Sequence, residues 1–189
     1  MPFSTPEVWI KNFCRASQNK TELTDLYHEV EKIKPKIILE IGVHQGYSIE
    51  AWRCLFPDAD VIGIELHPEG IMIPKNDPKV YVWGGDSHDQ LTSHEVRNLL
   101  NGDFVDFLFI DGDHTYQGVK KDFEMYAPLV KSGGIIAFHD AALKDNPLVE
   151  VYKFWEEIAG KYKNKLVTAG REESNGFKGE GTGTGIIWI

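Results

Sequence analysis

Five carboxylates and two histidines stand at or just past the ends of apolar runs in this sequence: Glu65, Asp86, Asp111, Asp113 and Asp140, with His114 and His139. Their types suggest two kinds of chemistry. A lone acid at the end of a run, such as Glu65, can accept hydrogen bonds from both hydroxyls of a ribose. The group Asp111, Asp113, His114, His139 and Asp140 is different, because like charges brought together are costly unless a cation or a proton intervenes. Carboxylates with water suit magnesium or calcium, and a histidine shifts the preference toward manganese, iron or zinc. Without a metal, the same groups could form an acid–base site through His114 or His139. A structural reading also stands: Asp111-Gly112-Asp113 as turn chemistry, with Asp113 or Thr115 capping a helix that starts near Tyr116.

Glycines accompany these acids. Gly42 and Gly46 follow an apolar run and precede a helical pattern. Glycine there lets the backbone turn sharply and lets a ligand come close. The spacing is Gly-x-x-x-Gly, unlike the Gly-x-Gly-x-x-Gly of dinucleotide folds, and it lacks the Gly-Lys-Ser/Thr ending of a phosphate-binding loop. Any tight strand-to-helix turn would favour glycine too. Glu65, 19 residues after Gly46, and Asp86 near the place of an adenine make the ligand reading the stronger one.

These residues need elements to hold them. Short, nearly continuous apolar runs at 37–42, 61–65, 80–83, 104–111 and 135–138 read as strands buried on both faces. Helical spacing over 48–55, 87–100, 116–130 and 148–162 alternates with them. Two amphipathic helices precede the first strand, one starting at Thr5-Pro6 and one at Thr21-Glu22 and ending before Pro35. The alternation predicts right-handed crossovers and an α/β, doubly wound, mainly parallel sheet with helices on both faces. Two more strands, 165–168 and 185–189, have no helix between them and predict an antiparallel finish to a seven-stranded sheet. In such a sheet ligands bind beyond the carboxyl ends of the strands, where all the acids above stand. No linker divides the chain. The expectation is one domain over 1–189, with N-terminal helices over 1–35 and the core over 36–189.

Composition narrows the class. Hydrophobic residues make up 42% and charged residues 26%, which excludes disordered and coiled-coil chains. Lys plus Arg is 20 and Asp plus Glu is 29, so the net charge is 20 − 29 = −9. That balance argues against nucleic acid and against an anionic membrane surface. Cys14 and Cys54 are too few for a disulfide framework and read as small buried side chains. The first residues carry no signal-peptide pattern and no run reaches the roughly 20 apolar residues of a membrane span, so a cytoplasmic location is expected. His28, His67, His88 and His94 do not cluster and read as surface or capping residues. Residues 170–185 hold six glycines and read as a connection, or as a lid over the substrate end.

With these residues in place, the sequence resembles the class I methyltransferases that use S-adenosylmethionine. The match runs through Glu-x-Gly-x-x-x-Gly-x-Ser at 40–48, the acid Glu65, and Gly85-Asp86-Ser87. Phe109-Ile-Asp-Gly-Asp-His-Thr-Tyr116 with Gly133-Gly-Ile-Ile-Ala-Phe-His-Asp140 is similar to a bacterial branch related to cephalosporin hydroxylase and to macrolide and sugar O-methyltransferases. The resemblance spans roughly residues 36–140. It implies that Glu40, Gly42, Gly46, Ser48, Glu65, Asp86, Ser87 and Asp111 serve the cofactor, with the glycines beside its amino-acid end, Glu65 on the ribose and Asp86-Ser87 near the adenine. It also implies a divalent ion, magnesium or manganese, on Asp111, His139 and Asp140, and a general base at Asp113; the residues themselves leave His114 as an equal candidate. His44 departs from the pattern, since many members carry another glycine there, and His139 stands where the family often has an acid.

The reaction implied is methyl transfer to a hydroxyl of a small acceptor such as a sugar, a catechol or a natural-product intermediate. Two rivals remain at this level. One is a nicotinamide-dinucleotide dehydrogenase, against which the glycine spacing counts. The other is a protein that binds the cofactor without transfer. An apolar face on the N-terminal helix would suit a homo-oligomer.

Overall fold

The computed structural model describes residues 5–72, 76–169 and 182–189. Helix α1 (Pro6–Asn12) begins as the sequence dictates: Thr5 Oγ1 accepts the Val8 N–H, and Pro6 occupies the first turn, where its missing N–H costs nothing. Helix α2 (Lys20–Glu31) is capped by Asn19, whose side chain accepts the N–H groups of Thr21 and Glu22. The strands and helices then alternate: β1 (Ile37–Ile41), α3 (Tyr47–Leu55), β2 (Asp60–Glu65), β3 (Val80–Gly84), α4 (Gln90–Leu100), β4 (Val105–Ile110), α5 (Tyr116–Tyr126), β5 (Val130–Phe138), α6 (Val151–Ile158), β6 (Lys163–Val167) and β7 (Thr184–Trp188).

The seven strands form one sheet in the order β3-β2-β1-β4-β5-β7-β6. Strands β1 to β5 pair in parallel, and β7 lies antiparallel between β5 and β6. The expected antiparallel finish is therefore present. Alternate side chains of the central strands feed two cores. Phe107, Phe109, Ile135 and Ala137 pack with α1, α2 and α3, whereas Leu108, Ile110, Ile136 and Phe138 pack with α4, α5 and α6. Both faces are covered, which is why these runs are apolar without alternation.

Several boundaries differ from the sequence reading. The fourth helix starts at Gln90 and not near Ser87, because Asp86 Oδ1 takes the His88 N–H and Asp89 caps the helix through Leu91 N. The fifth ends at Tyr126, followed by a 3-10 turn over Ala127–Leu129 that holds Pro128. Proline disfavours helical backbone in the residue before it. Strand β5 consequently begins at Val130, and Gly133-Gly134 belongs to it, tied to Ile189 by Gly133 N → Ile189 O at 2.7 Å and Ile189 N → Gly134 O at 3.1 Å. The sixth helix is also shorter than expected, and a 3-10 turn over Ala159–Lys161 completes it.

Strand β1 is flanked by β2 on one side and β4 on the other, so the chain reverses direction across the sheet between β1 and β4. A parallel sheet opens its ligand crevice at that point, beyond the carboxyl ends of the strands. Gly42 and Asp111 are the residues that follow those two strands. Of the glycine-rich stretch, residues 170–181 lie outside the described residues, and with them most of the expected lid.

Candidate active site

The loop after β1 is shaped by backbone that few residues adopt. Gly42 has φ +87°, and a Cβ on it would stand 2.1 Å from the Asp111 carbonyl oxygen, so nothing but glycine lets the β1 and β4 loops touch. Gly46, at φ +89°, turns the chain into α3 as its N-cap and offers no side-chain cap. His44 is left-handed too, at φ +52°. Glycine would reach that conformation freely, and histidine is among the residues that tolerate it. The departure at 44 thus leaves the loop shape within reach.

Two lobes of a cleft meet at this loop. The larger, about 430 Å³, is lined by Glu65, Asp86, Ser87, His88, Gly112 and Asp113 among others, and the smaller, about 280 Å³, by Gln18, Tyr47, Ser48, His114 and His139 among others; Gly42, His44 and Asp111 belong to both. Most of the residues singled out in the sequence come together here. Glu65 ends β2 with Oε2 accepting His44 N at 2.6 Å and Oε1 accepting His67 N at 2.8 Å. Each oxygen keeps a second lone pair for a ligand hydroxyl.

Glu40, Gly46 and Asp140 are not among the residues lining either lobe. Glu40 is fully buried inside β1, with Ser48 Oγ donating to Oε1 and Trp52 Nε1 donating to Oε2 at 2.7 Å. Burial pushes its carboxyl up to about 8. It anchors α3 against the sheet from beneath the cleft. Asp140 follows β5 at φ +60°, a left-handed position that holds its carboxylate in the cluster below.

Asp111, His114, His139 and Asp140 form a closed set. His139 Nδ1 stands 3.0 Å from Asp111 Oδ1 and 3.3 Å from Asp140 Oδ1. His114 bridges the same two acids, with Nε2 at 3.3 Å from Asp111 Oδ1 and Nδ1 at 3.3 Å from Asp140 Oδ2. Burial alone would raise the Asp111 carboxyl, but the two imidazoles hold it well below the ordinary carboxylate range. Burial disfavours charge on His139, yet the facing acids Asp111, Asp140 and Glu22 lift it to about 9. The hydrogen bond to Asp111 raises His114 as well. Among the described residues, no three His, Cys, Asp or Glu side chains enclose a metal position; imidazoles fill the space between the carboxylates. Two of the facing atoms, His139 Nδ1 and Asp140 Oδ1, are nonetheless buried with no hydrogen bond in line.

The two candidate bases separate. His114 lines the smaller lobe with Asp111 and His139, whereas Asp113 lines the larger one. Asp113 Oδ1 accepts Thr115 N at 2.9 Å, and Thr115 caps α5 through Gly118 N at 3.0 Å, so the capping chemistry read from the sequence is present too.

Three neighbours escaped the sequence reading. Gln18 reaches from the α1–α2 connection to Asp111 Oδ2, Nε2 to oxygen at 2.7 Å. Glu22 on α2 is fully buried, and its Oε1 accepts the N–H groups of Ala169 at 2.9 Å and Gly183 at 3.1 Å. Thr182 beside it places Oγ1 3.2 Å from His139 Nε2. His88, read as a surface or capping residue, instead lines the larger lobe and sets Nε2 3.2 Å from the buried Asp122 Oδ1. Only the apolar spacing of α2 hinted at Glu22, and no local motif marked Gln18.

Comparison with known proteins bears on the fold and the family. A protein of Sinorhizobium fredii called y4gI is 27% identical over 155 residues, covering 69% of this chain and 16% of its own length. A protein of Acanthamoeba polyphaga mimivirus called R132 is 33% identical over 112 residues, covering 54% of this chain and 50% of its own. The chain thus spans half or less of the length of these curated relatives. Among solved structures, an O-methyltransferase of Bacillus cereus in complex with SAH superposes with a TM-score of 0.66 at 21% identity, over all of this chain and 93% of that one. TomG of Streptomyces achromogenes, in complex with SAM, gives 0.61 at 18% identity, over 87% and 77%. MycE of the mycinamycin pathway, with Mg and SAH, gives 0.56 at 16% identity, over 89% and 52%. These likenesses establish the fold. The family described as "Methyltransferase domain" matches residues 39–141, more than half the chain, from β1 through the residues that follow β5. The chain belongs to that methyltransferase-domain family.

Proposed function

We propose that this protein transfers a methyl group from S-adenosylmethionine to a hydroxyl oxygen of a small acceptor. The observation that carries the reading is the two-lobed cleft around Gly42, His44 and Asp111, with Glu65 in one lobe and the Asp111–His114–His139 cluster in the other. A nucleoside seated on Glu65 would hold its ribose diol there and its base toward Asp86 and Ser87. The sulfonium of the cofactor supplies a methyl group already activated for transfer, so the protein's tasks are alignment and removal of one proton. His114 in the smaller lobe is the candidate base for the acceptor's hydroxyl proton; its nitrogens stand 3.3 Å from Asp111 and Asp140, so it takes that proton only as the neutral imidazole with one nitrogen released from its carboxylate. Asp113 is the alternative base from the larger lobe.

The donor set suits a divalent ion by its chemistry. Asp111, His139 and Asp140 supply mixed oxygen and nitrogen ligands, with His139 Nδ1 3.0 Å from Asp111 Oδ1 and 3.3 Å from Asp140 Oδ1. These three residues would hold magnesium or manganese, with the His139 proton leaving to make room. Such an ion, when bound, lowers the pKa of an acceptor hydroxyl. A vicinal diol, catechol or sugar matches that arrangement. We read the domain as residues 1–189, with the helices over 1–35 preceding the core and closing its substrate side.

Thermal unfolding of the full chain with S-adenosylhomocysteine, alone and with Mg²⁺ or Mn²⁺, tests the site. Ligand at 100 times its dissociation constant should stabilise the fold by about 2.7 kcal/mol. Mn²⁺ should add a further increment. An S-adenosylhomocysteine shift unmoved by either metal, together with no shift from metal alone, would remove the ion and leave His114 or Asp113 acting alone.

A further inference from the structure

Gln18 belongs to the connection between α1 and α2, yet it is only 8% exposed. Its Nε2 donates to Asp111 Oδ2 at 2.7 Å. A carboxylate only accepts, so the amide is oriented with nitrogen toward Asp111 and Oε1 away from it. That Oε1 is buried and has no hydrogen-bond partner. An unpaired buried acceptor costs about 1–3 kcal/mol, and folds seldom retain one that nothing satisfies.

The surroundings say what would satisfy it. Gln18 lines the smaller lobe together with Gly42, Tyr47 and Ser48, where the nine-residue helix α3 begins. The N-cap Gly46 carries no side chain to accept the first-turn N–H groups. Those groups present partial positive charge and suit a carboxylate. One lobe therefore offers an anion site, an unpaired neutral acceptor and the carboxylate of Asp111. This is the complement of an α-amino acid zwitterion. A nucleoside whose ribose rests on Glu65 can extend a tail into this lobe past Gly42, His44 and Asp111, which line both.

We propose that Gln18 Oε1 accepts a hydrogen bond from the α-ammonium of the methionine end of S-adenosylmethionine, with that end's carboxylate on the N-terminus of α3. The assignment rests on the cofactor reading above. It gives the N-terminal segment a place in cofactor recognition, and Gln18 holds Asp111 Oδ2 while Oδ1 stays with the histidines.

Two ligands separate this role from a merely structural one. S-adenosylhomocysteine carries the amino-acid end, and 5′-methylthioadenosine has the same adenosine and thioether without it. In calorimetric titrations of the full chain, Gln18→Leu should weaken S-adenosylhomocysteine about tenfold, the loss of one hydrogen bond to a charged group. It should leave 5′-methylthioadenosine within about twofold of the wild type. Gln18→Asn withdraws the acceptor by one methylene, keeps the amide, and should show the same split if the leucine variant fails to fold. Equal losses for both ligands, or no loss for either, would overturn the proposal. A wild-type chain that binds neither ligand would instead overturn the cofactor reading itself.

Discussion

Glu65 and Glu40 show how two acids of one motif region take opposite parts. Glu65 stands in the cleft with a lone pair free on each oxygen. Glu65→Ala should therefore weaken S-adenosylhomocysteine roughly 10- to 100-fold in calorimetry, since hydrogen bonds to a charged acceptor contribute about 1.5–3 kcal/mol. A loss under twofold would take the ribose away from Glu65. Glu40 is buried where charge is costly, and its carboxyl is raised to about 8 from an unfolded value of 4.5. Between those values the unfolded chain is ionised at this position while the folded chain keeps its proton. The unfolded state then binds fewer protons, so this residue makes stability fall as pH rises from about 4.5 to about 8. Glu40→Gln keeps an acceptor for Trp52 and a donor for Ser48 but does not titrate. Melting curves across that window should show the variant gaining on the wild type as pH rises. Parallel curves would mean that Glu40 is ionised in the fold.

At the scale of elements, the β1 loop and the β4 loop are locked by the absence of one side chain. Gly42→Ala would combine a left-handed backbone with a Cβ overlapping the Asp111 carbonyl, and should destabilise the chain by more than about 2 kcal/mol in denaturant unfolding. A cost under 1 kcal/mol would show that the two loops can part. Apolar runs marked the strands plainly because burial on both faces leaves a continuous signature, and the glycines and acids at their ends were equally visible. Helix starts were legible at Thr5 and Thr115, where capping chemistry is local. Less legible were the ends governed by pairing. Gly133 and Gly134 look like a loop in sequence, but Ile189, more than fifty residues away, draws them into β5. Gln18 and Glu22 reach the site only because α1 and α2 fold back over it, which no local spacing announces.

Across the whole molecule, the net charge of −9 acquires a location. Glu65, Asp86, Asp111, Asp113 and Asp140 lie along one rim of the sheet, where β1 to β5 end. At the opposite end, Asp106 accepts the N–H groups of Lys36 and Ile37 at 2.7 and 2.8 Å and pairs with Lys131. That acid is structural, whereas Glu65, Asp86, Asp111 and Asp113 line the cleft and Asp140 faces the two histidines beneath it. Among the described residues no helix is long and apolar enough to cross a membrane. The strand order β3-β2-β1-β4-β5 and its crevice also occur in dinucleotide-binding folds, so the decisive question is the identity of the nucleoside ligand. Calorimetric titration of the full chain with S-adenosylhomocysteine and, separately, with NAD tests it most directly. One-to-one binding of S-adenosylhomocysteine is expected, with no detectable heat of binding from NAD. Saturable binding of NAD with none of S-adenosylhomocysteine would contradict it.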